Sequence, residues 1–186
     1  SPLKDKSVSD TKHLNPNRDF KPIALLRNNE TLMVQGDTTL QENDIVYFIS
    51  TQKSISQITR ICGQECFEIK NIMILGGSRI GVLTAELLEK KYNVILIEKD
   101  KKKAEEIANH LKKTLVINAD GTDVQVLEEE SIEDMDAFIS VTGNSETNII
   151  TSIVAKSHGV KKTIAGVENI DYINLSQNIG IDTLIN

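Results

Sequence analysis

The chain has 186 residues, 39% of them hydrophobic and 26% charged, a balance that suits one large or two small globular domains and argues against a disordered chain. Its formal net charge is −6, and residues 1–70 hold nine basic and nine acidic side chains, so the acid excess lies beyond them; without a basic stripe no nucleic-acid partner is expected. No apolar run approaches the roughly 18 to 20 residues of a membrane span, so direct membrane insertion is not expected either.

Residues 1–17 are polar and charged, unlike a signal peptide, and the missing initiating Met makes Ser1 read as a processing or excision boundary. Residues 1–66 read as a small α+β lobe. Positions 7–14 suit a short helix that Asn15 and Pro16 stop. A strand over 21–27, a turn at Asn28 and Asn29, and a strand over 31–34 follow. Gly36 and Asp37 break the chain, Glu42, Asn43 and Asp44 turn it, and 45–50 is a β-rich third strand. Ser54 fits as the N-cap of a helix to about residue 62, with Ile55, Ile58 and Ile61 on one face and Gly63 as its stop. The spacing of Cys62 and Cys66 puts them on one helix face, but a metal site needs two more soft ligands, and His13, His110 and His158 are scattered. Two reduced thiols in a cytosolic protein, with no metal, are expected.

From residue 71 the rhythm changes. Strands are predicted over 71–75, 94–98, 115–118, 137–141, 163–167 and 182–185. Helices are predicted over 79–91, with Val82, Leu83, Leu87 and Leu88 inward, over 101–111 with Asp100 as cap, over 145–157 and over 169–178. Apolar strands alternating with amphipathic helices specify an α/β fold, a doubly wound parallel Rossmann sheet preceded by the small α+β lobe.

In such a sheet ligands bind beyond the carboxyl ends of the first and fourth strands. The first is followed by Gly76, Gly77, Ser78, Arg79, Ile80 and Gly81. Gly76 permits the tight turn out of the strand, Gly81 lets the helix approach the sheet, and helix-start amides face a pyrophosphate. Ser78 replaces the middle glycine of G-x-G-x-x-G; it is small, and its hydroxyl can donate to a phosphate oxygen. The hexad alone is weak, but Glu98 ends the next strand 22 positions after Gly76, beside Lys99. A carboxylate there accepts both ribose hydroxyls of adenosine and repels a 2′-phosphate, favouring NAD over NADP. Asp120 and Gly121, after the third strand, stand where the adenine edge should lie, or else Asp120 caps the next short helix. Thr142, Gly143 and Asn144 follow the fourth strand, and Asn144 or Ser145 must also cap the helix there. Arg79 is placed to reach a phosphate; Lys101, Lys102 and Lys103 read as a solvated helix face.

The run NIMILGGSRIGVLTAELLEKKYNVILIEKDKKKAEEIA, then INADGTD, then SVTGNSETNIITSIVAKSHGVKKTIAGVEN, resembles the RCK-N (KTN, TrkA-N) nucleotide-binding domain. The preceding IALLRNNETLMVQGDTTLQENDIVYFIS resembles the RCK-C (TrkA-C) lobe of the same regulators. This divides the chain into a lobe at 1–66, incomplete at its start, and a nucleotide domain at 71–186. A lobe ahead of a nucleotide domain suits family members that carry the pair twice, so the sequence resembles an excised fragment. The resemblance implies a cytoplasmic regulatory subunit, held at the inner face of the cell membrane by a potassium transporter. It implies NAD or NADH as ligand, with ATP or ADP as other members of the class, homo-oligomeric assembly, and gating by ligand-dependent rearrangement. The carried-over contacts are the Gly76 to Gly81 loop, Glu98 and the Asp120-Gly121 turn.

Two rival readings stay open. One is a nicotinamide-dependent oxidoreductase, which needs an acid-base group beside the cofactor. The Tyr-x-x-x-Lys pair of short-chain dehydrogenases is absent, since Tyr47, Tyr92 and Tyr172 are followed four positions on by Thr51, Leu96 and Ser176. No large substrate domain follows the sheet, and no catalytic residue is assigned. The other rival is an assembly module with an empty nucleotide site, for which Ser78 is the best support.

Overall fold

The computed structural model describes residues 2–28, 30–63, 67–168 and 180–186. They form two compact units, 1–67 and 68–186. The first holds strands β1 (Phe20–Arg27), β2 (Glu30–Met33) and β3 (Ile45–Ser50), with helix α1 (Ile55–Ile61). The second holds β4 (Asn71–Leu75), α2 (Arg79–Leu88), β5 (Asn93–Glu98), α3 (Lys101–His110), β6 (Leu115–Asn118), α4 (Val124–Glu129), β7 (Ala137–Ser140), α5 (Ser145–Ser157), β8 (Lys162–Gly166) and β9 (Thr183–Ile185). The helix expected over 169–178, and Asn29 and Cys66, lie outside the described residues.

In the first unit β1 is the central strand of an antiparallel sheet ordered β2-β1-β3. Pro22 has no N–H to give a ladder, and the β1/β3 register shifts between Pro22 and Ala24, a bulge that absorbs it. Leu3, Phe20, Leu25, Leu40 and Ile61 make the core, each worth roughly 1.5–3 kcal/mol for the larger side chains. Phe20 meets Phe48 edge-on, ring centroids 5.9 Å apart. Arg27 grips Asp44 in a fork, Nε to Oδ1 at 2.8 Å and Nη2 to Oδ2 at 2.7 Å, fixing the turn before β3. The helix expected over 7–14 is a 3₁₀ turn at Lys12–Leu14 alone. Its backbone is spent elsewhere: the Val8 and Ser9 amides donate to Thr38 and Gly36 carbonyls, and Ser7 Oγ takes the Asp10 amide at 3.2 Å. Ser54 stands before α1 but makes no cap; its buried hydroxyl donates to Thr51 and Asp19 carbonyls instead. Of the isoleucines expected on one face of this helix, Ile61 is buried and Ile55 exposed.

The second unit carries six parallel strands in the order β6-β5-β4-β7-β8-β9. Chain order reverses between β4 and β7, the switch point of a doubly wound Rossmann sheet. β4 explains why both faces are covered: Ile72 and Ile74 enter one core with Ala85 and Ile107, while Met73 and Leu75 enter the other with Leu127 and Phe138. Two expectations for the first helix need correction. It ends at Leu88 rather than 91, and Leu83 and Leu87 are exposed at 49% and 67%, while Gly81 and Ala85 turn inward. Val82 and Leu88 do pack against the core beside them, as expected.

Candidate functional site

At the switch point the carboxyl ends of β4, β5, β6 and β7 surround a cleft of about 410 Å³. Gly76 leaves β4 with φ of +105°, a conformation that only glycine adopts without strain. A Cβ there would also stand 2.8 Å from the Thr142 amide nitrogen, so the glycine lets the loops after β4 and β7 touch. Gly81 does related work below: an added methyl would overlap the Gly76 carbonyl oxygen.

Ser78 is the N-cap of α2, at φ −61° and ψ 166°, and its Oγ accepts the Gly81 amide at 3.2 Å. Nothing in that backbone demands glycine. The hydroxyl hydrogen remains for an acceptor in the cleft, and the Arg79 and Ile80 amides, in the first turn, have no intrahelical carbonyl to bond.

Glu98, at the end of β5, is 8% exposed. Its Oε2 accepts the Gly77 amide at 2.9 Å, its Oε1 the Asp100 amide at 2.9 Å, and Lys103 Nζ lies 3.4 Å from Oε2. Burial pushes this carboxyl up, but the two amides and Lys103 outweigh it and hold the pKa below the ordinary carboxylate value. A carboxylate offers about four acceptor positions, so capacity remains for ligand hydroxyls. Asp100 caps α3 as expected, taking the Lys103 amide at 2.9 Å. Lys103 is exposed, as expected, and also lies beside Glu98 at the edge of the cleft.

Across the cleft, Asp120 Oδ1 accepts from the Thr122 hydroxyl at 2.7 Å and amide at 3.0 Å, which lowers its pKa. The cap of α4 is Asp123, so Asp120 shapes the turn and leaves the helix to its neighbour. Ile97, Ala119 and Gly121 give this end an apolar floor. Asn144 caps α5, accepting the Thr147 amide at 2.6 Å, whereas Ser145 Oγ accepts the Glu168 amide at 3.0 Å.

Of the residues singled out in the sequence, Gly76, Ser78, Glu98, Lys99, Asp120, Gly121, Thr142, Gly143 and Asn144 border one cleft. Gly77, Arg79, Ile80 and Gly81 do not: Gly77 is spent on Glu98, Gly81 on packing, and Arg79 and Ile80 are exposed on α2. Sequence reasoning missed Lys103, Thr147 and Asn148, the last a fully buried polar residue in an otherwise ordinary helix. The cleft wall holds hydroxyls, carboxylates, lysines and amides among the described residues. Among the described residues no group of His, Cys, Asp or Glu could hold a metal ion, and no helix is long and apolar enough to cross a membrane.

Comparison with known proteins agrees with this architecture. Residues 72–186 match the TrkA-N domain and residues 1–63 the TrkA-C domain. The chain is 35% identical over 164 residues to the Trk system potassium uptake protein TrkA homolog 2 of Methanosarcina mazei, covering 87% of this chain and 37% of that protein. With the TrkA protein of Vibrio alginolyticus it shares 32% over 184 residues, covering 99% of this chain and 40% of the relative. The chain thus spans about two fifths of the length of these curated relatives. Among solved structures, the GsuK RCK domain aligns with a TM-score of 0.64 at 20% identity, over 100% of this chain and 39% of that one. The GsuK channel bound to NAD aligns with 0.63, also at 20%, over 100% and 33%. At that identity the likeness is one of fold. The sequence matches go further: the chain belongs to the TrkA family, with a TrkA-C domain ahead of a TrkA-N domain.

Proposed function

We propose that this chain is a nucleotide-sensing part of a potassium-uptake regulator, and that its cleft binds NAD or NADH. The observation that carries the reading is the convergence of the Gly76 turn, Ser78, Glu98 and the Thr142 turn on one cleft at the sheet's switch point. Glu98 would hold the adenosine ribose, and the floor of Ile97, Ala119 and Gly121 would take the adenine. The Ser78 hydroxyl, at the start of α2, would meet the pyrophosphate, which directs the rest of the dinucleotide toward Thr142 and Asn144. ADP and ATP share the adenosine half and compete for the same place. Bound nucleotide would serve as an allosteric ligand here.

The TrkA-C unit, 1–66, and the TrkA-N unit, 71–186, act together in this reading. The whole protein is a homo-oligomer on the cytoplasmic face of the membrane, docked on a potassium transporter subunit. A nucleotide shifts such an assembly only by its differential affinity for two arrangements. Residues from separate strand ends, tied together by one ligand, supply that difference. The family match supports regulation over turnover. Sedimentation of the full-length regulator with and without NADH tests this, alongside incubation of NADH with small carbonyl compounds. A nucleotide-dependent change in assembly without protein-dependent NADH oxidation is expected. Steady substrate-dependent oxidation would restore the oxidoreductase reading.

A further inference from the structure

The side chain that organises the β7 wall of the cleft does not border it. Asn148, in the first turns of α5, is 2% exposed. Its Oδ1 accepts from the Thr142 amide at 2.9 Å, the Thr142 hydroxyl at 2.6 Å and the Ser140 hydroxyl at 3.0 Å. Its Nδ2 donates to the Thr142 carbonyl at 3.1 Å and to the Gly166 carbonyl at 2.8 Å. One planar amide therefore holds both backbone groups of a cleft residue and the last residue of β8. Ser140 Oγ also meets Thr151 Oγ1 at 3.0 Å, which closes the buried cluster. Such a cluster must satisfy every member to avoid a large desolvation cost, and simple packing would be served as well by an apolar side chain.

The link continues past Gly166. The Val167 amide donates to the Ile185 carbonyl at 2.8 Å in β9, and the Glu168 amide to Ser145 Oγ at 3.0 Å on the first turn of α5. Because Asn148 Oδ1 and Nδ2 share one plane, an ångström of movement at Thr142 cannot leave both the Thr142 and Gly166 bonds in range. A ligand that prefers one position of the Thr142 turn then prefers one position of the β8 exit.

We propose that Asn148 is a positioning residue: it presets the Thr142 turn for the nucleotide and passes occupancy of the cleft to residues 166–168. This rests on the nucleotide reading of the cleft. The discriminating variant is Asn148→Asp, which keeps the shape and Oδ1 but, when ionised, has no donor for the two carbonyls; protonation returns one. Ser140→Ala is the control, trimming the cluster without touching the hold on Thr142.

The test is NADH titration with amide hydrogen exchange on the full chain, each variant first shown folded by circular dichroism. Wild type should bind NADH and slow exchange at both the Thr142 turn and residues 166–168. Asn148→Asp should bind about tenfold more weakly or worse near pH 8 and lose ligand protection at 166–168 while keeping it at the Gly76 loop. Affinity should recover as pH falls, because protonation returns one donor to the two carbonyls. Ser140→Ala should resemble wild type. Asn148→Asp with wild-type affinity and intact protection at 166–168 would overturn the proposal. Wild type that binds NADH without protecting 166–168 would also overturn it, whatever the variants do. Wild type that binds no NADH would instead overturn the nucleotide reading, and the proposal with it.

Discussion

Glu89, at the carboxyl end of α2, carries a load that its position in the sequence does not advertise. Its side chain is buried and accepts the amides of Lys113 at 2.8 Å, Thr114 at 2.9 Å and Lys112 at 3.2 Å, together with the Thr114 hydroxyl at 3.0 Å. It thereby pins α2 to the connection that feeds β6, the strand leading to Asp120. Those amides, Lys113 first, overcome the opposing effect of burial and bring the carboxyl from 4.5 down to about 2. Such a fall corresponds to about 3 kcal/mol at full strength. Lys112 and Lys113 beside it are exposed, so solvent screens part of that, and about 2 kcal/mol is expected at neutral pH. Glu89→Gln keeps the shape but removes the charge and turns an amide group toward donors. The sign follows from the lowered pKa: the stabilisation is complete above the unfolded carboxyl's value near 4.5 and is lost as pH falls toward about 2. Urea unfolding followed by far-ultraviolet circular dichroism reports mainly the second unit, which holds α2 to α5. Wild type should exceed Glu89→Gln by about 2 kcal/mol at neutral pH, and the gap should close as the solution is acidified through that window. A neutral-pH gap below about 0.5 kcal/mol, the scatter of ordinary surface changes, or a gap indifferent to pH would refute the reasoning.

Three further outcomes follow from the cleft. Glu98→Ala should weaken NAD and ADP alike by about 1.5–3 kcal/mol, and wild type should bind NADP less tightly than NAD; calorimetry showing equal NAD and NADP affinities would remove Glu98 from the ribose. Ser78→Gly should keep nucleotide binding and cost only a few tenths of a kcal/mol in thermal stability, because glycine is a tolerable N-cap, whereas Ser78→Val should abolish binding by crowding the phosphates. Gly81→Ala should lower stability by about 1–3 kcal/mol, since its methyl meets the Gly76 carbonyl, and a melting temperature equal to wild type would contradict that contact.

Much of this molecule was legible in its sequence because strand and helix periods are local. The strands at 71–75 and 45–50 and the helix at 145–157 fall where their patterns put them. The glycine-bearing turn and Glu98 were legible as well, since the loop's spacing sets where the next strand ends. What failed was non-local. Leu83 and Leu87 look like core by hydrophobicity, yet the close contact of Gly81 with the Gly76 carbonyl turns Gly81 and Ala85 inward, with Val82 and Leu88 beside them. Residues 7–14 lose their helix to carbonyls contributed by residues 36 and 38. Lys101 to Lys103 are exposed as expected, but the approach of Lys103 to Glu98 was not legible, because it depends on where β5 and α3 meet. Asn148 gives no sign of its role, because its partners at Thr142 and Gly166 meet only after the parallel sheet has formed.

The most direct test of the central claim is isothermal titration of the 186-residue chain with NAD, NADH, ADP and ATP on one preparation, with Glu98→Ala run beside it. One site per chain is expected for NAD or NADH, with ADP competing for it and the Glu98 variant weakened toward all four. A chain that is folded by circular dichroism yet gives no binding signal with any of the four would contradict the account and leave the cleft to the empty assembly module.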